Sequence, residues 1–239
     1  MKSIDIKTLV ITSVVVLVIA CNVENKKVEQ KIRDSFDMGL SSWVVEDESD
    51  SAIFEFHHDT LSIKSPAGLT LWYNRKLSGE YQISYSISLQ INGRVGERLS
   101  DMNCFWAATD PLNPDDFFAR SGWRHGIFSR YNSLNMYYVG YGGNDNTTTR
   151  FRKYYGKYYN VDNNKIKPLI QEYIDADHLL QPNRWYKVVI TVAKGKTSFE
   201  VNGERLFELT DKELYSDGYF GIRLLSNRAA ITGFAIQYL

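Results

Sequence analysis

The sequence predicts an all-β sandwich or jelly roll in which helix is confined to short pieces in the connections. Apolar and polar residues alternate with a period of two along most of the chain, and Gly, Asn and Asp separate the alternating segments. Sustained helical periodicity is scarce. Aromatic residues, which favour strands, make up 14% of the sequence. Because there is no repeat of the kind that builds a propeller, many short strands with regular turns indicate a sandwich, barrel or jelly roll.

The N-terminal residues have the pattern of an export signal. Lys2 and Lys7 precede an apolar run that is short for a membrane span and ends at small residues. The segment "VIAC", residues 18–21, resembles the bacterial lipobox, in which the cysteine becomes the lipidated first residue of the mature protein. The alternative is an uncleaved membrane anchor that ends near Cys21.

These patterns divide the chain into three parts. We expect a lipoprotein signal peptide over residues 1–20, a flexible polar tether over 21–33 and a single β jelly-roll domain over 34–239. Such a protein is exported and held by its N-terminal lipid at the periplasmic or cell-surface side of a membrane.

The strands of the domain are expected wherever the alternation is clear. These segments are 81–91, 100–109, 184–195, 197–209, 218–226 and 229–239. Two connecting segments are helix candidates. In 113–118, Asn113 can cap the helix and Pro114 can occupy its first turn, and the other candidate is 169–179.

Charge and cysteine content exclude several classes of protein. Lysine plus arginine equals aspartate plus glutamate at 28 each, so a nucleic-acid binder steered by a strongly basic surface is not expected. Beyond Cys21 only Cys104 remains, and its apolar neighbours predict a buried thiol. No cofactor is expected. The histidines lack zinc spacing, and although calcium often supports jelly rolls, Asp101, Asn144 and Asp145 lack the spacing of a calcium loop.

The segment "YYVGYGGNDNTTTRF", residues 137–151, is the most distinctive stretch. Taking 134–141 and 146–154 as antiparallel strands joined through Gly142–Asp145 places residue 141 opposite residue 146. In this register the accessible face gathers Asn135, Tyr137, Tyr141, Arg150 and Arg152. The other, more apolar face then holds Met136, Tyr138, Gly140, Thr147, Thr149 and Phe151. A shift of one residue would exchange the faces.

A neighbouring segment, "DMNCFW", gives the same division into two faces. Its alternation places Met102, Cys104 and Trp106 in the core, whereas Asp101 and Asn103 point the other way. Tyrosine can stack on a sugar ring, amides and carboxylates can bind hydroxyls, and arginine can bind a carboxylate through two bonds, which favours an acidic sugar. The alternative is ordinary strand and turn chemistry, because threonine runs form strands and surface arginines usually lie in solvent.

Two resemblances support this interpretation. The last 55 residues, which include a hairpin at 201–203, resemble the C-terminal half of concanavalin-like jelly rolls such as laminin-G-like domains. The segments "NCFWAATDP", "RSGWRHGIFSRY", "YYVGYGGNDNTTTRFRKY" and "GYFGIRLLS" together resemble an uncharacterised family of exported bacterial jelly-roll domains over about 35–239. More distantly, they are similar to YesU-like proteins of rhamnogalacturonan utilisation. The resemblance implies a role in polysaccharide breakdown.

The first hypothesis is therefore an enzyme acting on a plant or algal type of acidic polysaccharide, either a lyase or a glycosidase. A lyase needs cations or amides to stabilise an enolate-like charge and a Tyr or His to transfer the proton. A glycosidase would use two carboxylates, for which Asp101 with Asp110 or Asp145 is the available choice. The second hypothesis is a membrane-tethered glycan-binding module without chemistry, and the third is a structural envelope lipoprotein.

The same residues serve the first two hypotheses. The catalytic candidates are Tyr137, Tyr141, His125 and Arg150. The substrate-binding candidates are Asp101, Asn103, Arg124, Asn135, Asn144 and Arg152.

Overall fold

The computed structural model describes residues 31–239. Within these residues the chain forms 13 strands, which are β1 (Lys31–Asp34), β2 (Trp43–Asp47), β3 (Ile53–His57), β4 (Thr60–Tyr73), β5 (Tyr81–Leu89), β6 (Met102–Thr109), β7 (Asn135–Gly142), β8 (Thr148–Tyr154), β9 (Leu169–Tyr173), β10 (Tyr186–Ala193), β11 (Lys196–Val201), β12 (Glu204–Thr210) and β13 (Tyr219–Tyr238). The short α-helices are α1 (Ser121–Arg124), α2 (Gly143–Asn146) and α3 (Asn163–Ile166). Turns of 3₁₀-helix lie at Phe117–Arg120, Phe128–Ser133, Gly156–Tyr158 and Ala176–His178. The predicted all-β fold with short helices in its connections is confirmed.

The strands form a sandwich of two sheets that share their longest strands. The front sheet has the order β2-β4-β13-β6-β7-β8-β9, and the back sheet has the order β12-β11-β10-β5-β13-β4-β3, with β1 paired to the end of β13. The pairing of β13 with β4 shifts between Leu225 and Asn227. Because a bulge bends a strand, β13 passes from the front sheet to the back sheet at this point.

Aromatic side chains fill the space between the sheets. Trp106 of the front sheet is fully buried and its ring stacks on Phe151 and, across the sandwich, on Phe199. Its indole N–H donates a 2.8 Å hydrogen bond to the Thr197 hydroxyl in the back sheet. This bond satisfies the polar atom of a ring that would otherwise lose a partner on burial. Much of the aromatic content of the sequence is therefore core.

Some segments differ from the sequence prediction. The helix expected at 113–118 does not form, and Asp116 rather than Asn113 caps the 3₁₀ turn that begins at Phe117. Residues 169–179, expected to be helical, form β9 and a short 3₁₀ turn, because β9 pairs with β8 at the edge of the front sheet. A strand partner outweighs weak local helix propensity. Residues 31–33, expected in the tether, belong to β1 and pair with β13.

The predictions about the N-terminus lie outside the described residues. These are the signal peptide, the lipidation of Cys21 and most of the tether. Between residues 31 and 239, no helix is both long and apolar enough to cross a membrane. Cys104 is buried as expected, and burial raises the pKa of its thiol to about 12, so it is not a nucleophile.

Candidate functional site

A line of polar residues crosses the outer face of the front sheet. The strand register places them side by side in the order Glu46, Thr70, Arg223, Asn103, Gly140, Arg150 and Glu172, which we call the polar row. Neighbouring strands lie about 4.8 Å apart, so adjacent members of the row can contact each other. Charged and amide groups are thus concentrated on one face of a sandwich whose interior is apolar.

The adjacent line on the same face is mostly apolar. It contains Val44, Trp72, Gly221, Phe105, Tyr138, Arg152 and Leu169. Residues from the connections at 110–134 and 155–168 pack on it and form a second small core, with members such as Phe117, Tyr131, Leu134 and Ile166. These connections cover part of the front sheet and leave the rest of the polar row open.

The covered end of the polar row is closed by a buried ion pair. Arg124 and Glu46 are fully buried at their side chains, and the Arg124 Nη2 lies 2.8 Å from the Glu46 Oε1. The same carboxylate accepts hydrogen bonds from the hydroxyls of Tyr131 at 2.6 Å and Ser121 at 2.7 Å. A buried charge is stable only when it is paired and hydrogen-bonded in this way. This end of the row is therefore structural.

The other end of the polar row opens into a cavity of about 290 Å³, which we call the open-face pocket. Its polar lining consists of Asp101, Tyr138, Asn144, Thr148, Arg150, Arg152, Tyr154 and Lys167. Gly140 forms part of its floor. Because Gly140 has no side chain, the Tyr138 ring lies over it, and an added Cβ would be 2.5 Å from the Tyr138 hydroxyl oxygen.

Cations dominate the open-face pocket. Arg152 donates a 2.8 Å hydrogen bond to the carbonyl of Lys167, and neither side chain forms an ion pair with a carboxylate among the residues that the structure describes. Arg150 is paired with Glu172 at the rim. Asp101, the only carboxylate that lines the pocket in this part of the chain, is paired with Arg98. The pocket thus offers positive charge that the described residues leave unneutralised.

Two buried polar atoms near this end of the row also lack protein partners within residues 31–239. The Asn103 amide donates a 3.4 Å hydrogen bond to Asp101, but its Oδ1 is unpartnered. The Tyr154 hydroxyl, in the pocket wall, is likewise unpartnered. Buried polar groups usually have a partner, so these two atoms are available to bind a ligand.

The protonation states of two groups in the open-face pocket follow from burial. Burial and the nearby Arg152 guanidinium lower the pKa of the Lys167 amine. Burial raises the pKa of the Tyr138 phenol well above its usual range. At neutral pH the phenol is therefore protonated and can donate a hydrogen bond, whereas the amine is closer to its neutral, proton-accepting form than a solvated lysine is.

The predicted partnership of Arg150 and Arg152 with Tyr137 and Tyr141 is wrong. The structure places Tyr137 opposite Lys153, because the turn occupies 144–147 and Gly143 pairs with Thr148. The register consequently moves by an odd number of residues and exchanges the faces of β7. Tyr137 and Tyr141 are buried between the sheets, whereas Arg150 and Arg152 lie on the open face as expected.

Tyr137 and Tyr141 therefore do not line the open-face pocket. The Tyr137 hydroxyl accepts a 3.1 Å hydrogen bond from the backbone of Tyr215 inside the sandwich. Tyr141 lines a separate cavity of about 240 Å³, and burial raises its pKa to about 12.

Three other candidate residues also lie elsewhere. Arg124 is fully buried in the ion pair with Glu46, so the prediction that it binds substrate is wrong. Asn135 accepts a 2.9 Å hydrogen bond from the backbone of Gly156 and thereby holds a connection. His125 is partly exposed outside the pocket, and its Nε2 lies 3.4 Å from Asp50.

The predicted residues Asp101, Asn103 and Asn144 do belong to this region. Asp101 and Asn144 line the pocket, and Asn103 is the neighbour of Gly140 in the polar row. Among the pocket residues that sequence reasoning missed are Tyr138, Tyr154 and Lys167. The correct register would have identified the tyrosines, but Lys167 comes from a long connection whose path the sequence pattern does not specify.

Arg98 lies between Asp101 and Asp145, two of the residues that were weighed as calcium ligands. Its guanidinium is paired with both Asp101 and Asp145 and thus supplies positive charge to these carboxylates. Among residues 31–239, no group of three or more His, Cys, Asp or Glu side chains is arranged to hold a metal ion.

The Tyr138 ring should be sensitive to any side chain at position 140. We expect Gly140→Ala to displace this ring, since the new Cβ would meet its hydroxyl at 2.5 Å, and to destabilise the domain by about 1–3 kcal/mol. Urea unfolding measures this change. Gly143→Ala, also in the pocket lining, is the control, because the atoms nearest to its Cβ are 3.8 Å away. Equal stability of the two variants would contradict the close packing of Tyr138 on Gly140.

Comparisons with known proteins agree with this fold. A family model described as a domain of unknown function, DUF6250, matches residues 63–234. A Bacillus subtilis protein of unknown function with a galectin-like fold has a TM-score of 0.67 at 16% identity, covering 88% of this chain and 98% of that one. No curated protein matches the sequence significantly.

Two further structures are similar at lower scores. The carbohydrate-binding module CBM66 of Bacillus subtilis has a TM-score of 0.52 at 11% identity, covering 81% of this chain and 93% of that one. The endo-β-1,3-glucanase of Pyrococcus furiosus has a TM-score of 0.52 at 12% identity, covering 88% of this chain and 94% of that one. At these identities the likeness establishes the jelly-roll fold alone.

Proposed function

The chain belongs to the DUF6250 family, whose function is unknown, and we propose that it is an exported carbohydrate-active protein that binds a uronate-bearing polysaccharide in the open-face pocket and cleaves it by elimination. The observation that carries this proposal is the positive charge of the pocket, above all that of Arg152, which has no carboxylate partner among the described residues. Arginine binds carboxylates through paired, charge-assisted hydrogen bonds. The names of similar structures, a carbohydrate-binding module and a glucanase, are consistent with a sugar ligand.

Elimination requires a group that stabilises the enolate-like charge, a base and a proton donor, and groups of the pocket can supply all three. The carbon beside the uronate carboxylate loses a proton, a double bond forms to the next carbon, and the glycosidic oxygen leaves with a proton. We assign stabilisation of the enolate-like charge to Arg152, with Arg150 beside it on the same strand. Lys167, whose pKa is lowered, is assigned the role of base, and the Tyr138 phenol that of proton donor.

Hydrolysis fits the same pocket less well. A glycosidase places two carboxyl groups across the bond that it breaks. Asp101 is held by Arg98, and Asp145 binds the same guanidinium. Asp110 is fully buried at its side chain and paired with Arg120. The carboxylates considered for a glycosidase are therefore neutralised by arginines or inaccessible.

The test compares Lys167→Met with Lys165→Met. Both changes are made in a fragment that begins near Glu29, just before β1, and that lacks the predicted signal peptide and most of the tether. Each protein is incubated with pectic, glucuronate-bearing and neutral polysaccharides, and the unsaturated-uronate absorbance is followed together with product size. We expect wild type and Lys165→Met to shorten an acidic glycan with the chromophore, because Lys165 is an exposed residue paired with Asp162.

Lys167→Met is expected to be slower by about 100-fold or more, as for loss of a general base. The wild-type rate should rise with pH through the lowered Lys167 pKa, because a base acts in its deprotonated form. Full activity of Lys167→Met would remove this residue from the mechanism, and short products without the chromophore would indicate a hydrolase.

A tethered glycan-binding module is the second candidate function. It is favoured by two observations. No histidine lines the open-face pocket within the described residues, and the raised pKa of Tyr138 makes its phenol a weak acid for protonating the leaving oxygen. Saturable retention of an acidic glycan whose length never changes would establish this function instead of the lyase.

The location at a membrane is part of the same proposal and depends on Cys21. We expect the full-length protein expressed in a Gram-negative host to be found in the membrane fraction and to incorporate labelled fatty acid. Cys21→Ser, which removes the lipidated thiol, should lose the label. Label retained by Cys21→Ser would contradict the lipobox assignment.

A further inference from the structure

The back sheet has a groove of its own on its outer face, on the opposite side of the sandwich from the open-face pocket. The groove encloses about 420 Å³, within the range of ligand sites. We call it the back-sheet groove. Trp185, which comes just before β10, lies at one side of it, and Ile53 and Glu55 of β3 lie at the other.

The floor of the back-sheet groove is flat because its residues are small. Ala230 of β13 and Ser62 of β4 are cross-strand partners that line it, and Glu55 follows on β3. Ser88, the partner of Ala230 on β5, is buried and accepts a hydrogen bond from Gln90, which lines the groove. The small side chains of Ala230 and Ser62 leave a shallow space between Trp185 and β3 where a sugar ring can lie.

The next line of residues on the same face carries positive charge. Arg228 and Lys64 are direct cross-strand partners, and both line the groove. Like charges placed directly opposite each other destabilise a sheet. Arg228 lies 3.6 Å from Glu97, whereas no ion pair of Lys64 is found within the described part of the chain. Arg94 joins these two cations in an adjoining recess. An anion bound between Lys64 and Arg228 would relieve this repulsion.

Trp185 provides an aromatic surface beside these cations. Its neighbour Tyr186 points into the core, so Trp185 faces outward, and the residue is 45% exposed. The flat face of Trp suits an amphipathic ring. Ile53, at the other side of the groove, is 51% exposed.

We infer that the back-sheet groove is a second binding site for an acidic saccharide, with a ring stacked on Trp185 and its carboxylate held by Lys64 and Arg228. The choice of a uronate ligand rests on the proposed function, whereas the groove itself rests on separate residues. Because the two sites lie on opposite sheets, one short oligosaccharide occupies only one of them. A long polysaccharide engages both sites or is shared between two proteins, which strengthens binding by multivalency.

The test is a calorimetric titration of the fragment beginning near Glu29 with a short oligogalacturonide. Wild type should bind two molecules per chain. Trp185→Ala and Lys64→Glu should each bind one, at the open-face pocket, and Arg152→Ala should bind one, at the groove. Trp123→Ala is the matched control, since Trp123 is a partly exposed tryptophan outside both sites, and it should bind two. Circular dichroism and thermal melting establish that each variant is folded.

The outcomes separate this inference from the proposed function. If wild type binds one molecule, and this binding is lost in Arg152→Ala but kept in Trp185→Ala and Lys64→Glu, the groove is not a binding site and only the open-face pocket binds the saccharide. One molecule lost in Trp185→Ala and Lys64→Glu but kept in Arg152→Ala would support the groove and contradict the proposed function. No binding by wild type would overturn both. Two molecules bound by folded Lys64→Glu and Trp185→Ala would also overturn the groove.

Discussion

Replacing Arg124 with leucine is expected to lower the free energy of unfolding by about 3–5 kcal/mol, which is the usual cost of removing one partner of a buried ion pair. The Arg124 side chain is fully buried, and its Nε donates a 2.9 Å hydrogen bond to Glu46. It also donates to the Phe117 carbonyl and lies 3.6 Å from Asp110 through Nη1. Leucine would leave the Glu46 carboxylate buried without its countercharge.

Urea unfolding of Arg124→Leu measures this loss. Arg75→Leu, a change at an exposed arginine, is the control and should alter stability by no more than about 0.5 kcal/mol. Adding Glu46→Gln to Arg124→Leu should recover part of the loss, because the amide removes the unpaired buried charge. A loss below about 1 kcal/mol in Arg124→Leu would show that Arg124 is not the structural centre of the covered end of the polar row.

Replacing Arg152 with alanine is expected to weaken binding of a uronate oligosaccharide at the open-face pocket by about ten- to a hundred-fold. A hydrogen bond to a charged group contributes about 1.5–3 kcal/mol, and each 1.4 kcal/mol is a factor of ten in affinity. Arg152 lines the pocket next to Tyr138 in the register and has no carboxylate partner among residues 31–239. Its guanidinium is therefore the group best placed to receive a ligand carboxylate.

Isothermal titration in the Lys64→Glu background measures the affinity of the open-face pocket alone, because Lys64→Glu is expected to abolish binding at the back-sheet groove. Arg75→Ala is the matched control and should leave the affinity unchanged. Arg152→Lys should retain only part of the affinity, because an ammonium does not form the paired bonds of a guanidinium. If Lys64→Glu binds the oligosaccharide with the same affinity with and without Arg152→Ala, Arg152 does not bind the ligand carboxylate.

The fold could be predicted from the sequence because its signals are local. Alternation along 81–91 and 184–195 corresponds to β5 and β10, and the alternation of Met102, Cys104 and Trp106 identified the core face of β6. The segment 169–179 could not be predicted in the same way. Its strand conformation depends on a partner, β8, that lies at a distance along the chain.

The site was predicted in part for a related physical reason. Arg150, Arg152, Asp101 and Asn103 follow from alternation within single strands. The tyrosines depended on the register between β7 and β8. This register is set by a turn at residues 144–147, in which Asn144 to Asn146 are successive left-handed residues, rather than by the predicted turn at 142–145. Such a turn shifts the pairing by an odd number of residues, so Tyr138 rather than Tyr137 lies on the open face beside Arg152.

Binding of an acidic glycan's carboxylate in the open-face pocket can be observed in a crystal structure of the fragment beginning near Glu29, grown with a short oligogalacturonide. We expect a uronate carboxylate within hydrogen-bond distance of the Arg152 guanidinium and a sugar ring near Tyr138. Sugar density only in other places, with Arg152 and Lys167 left in contact with water, would contradict it.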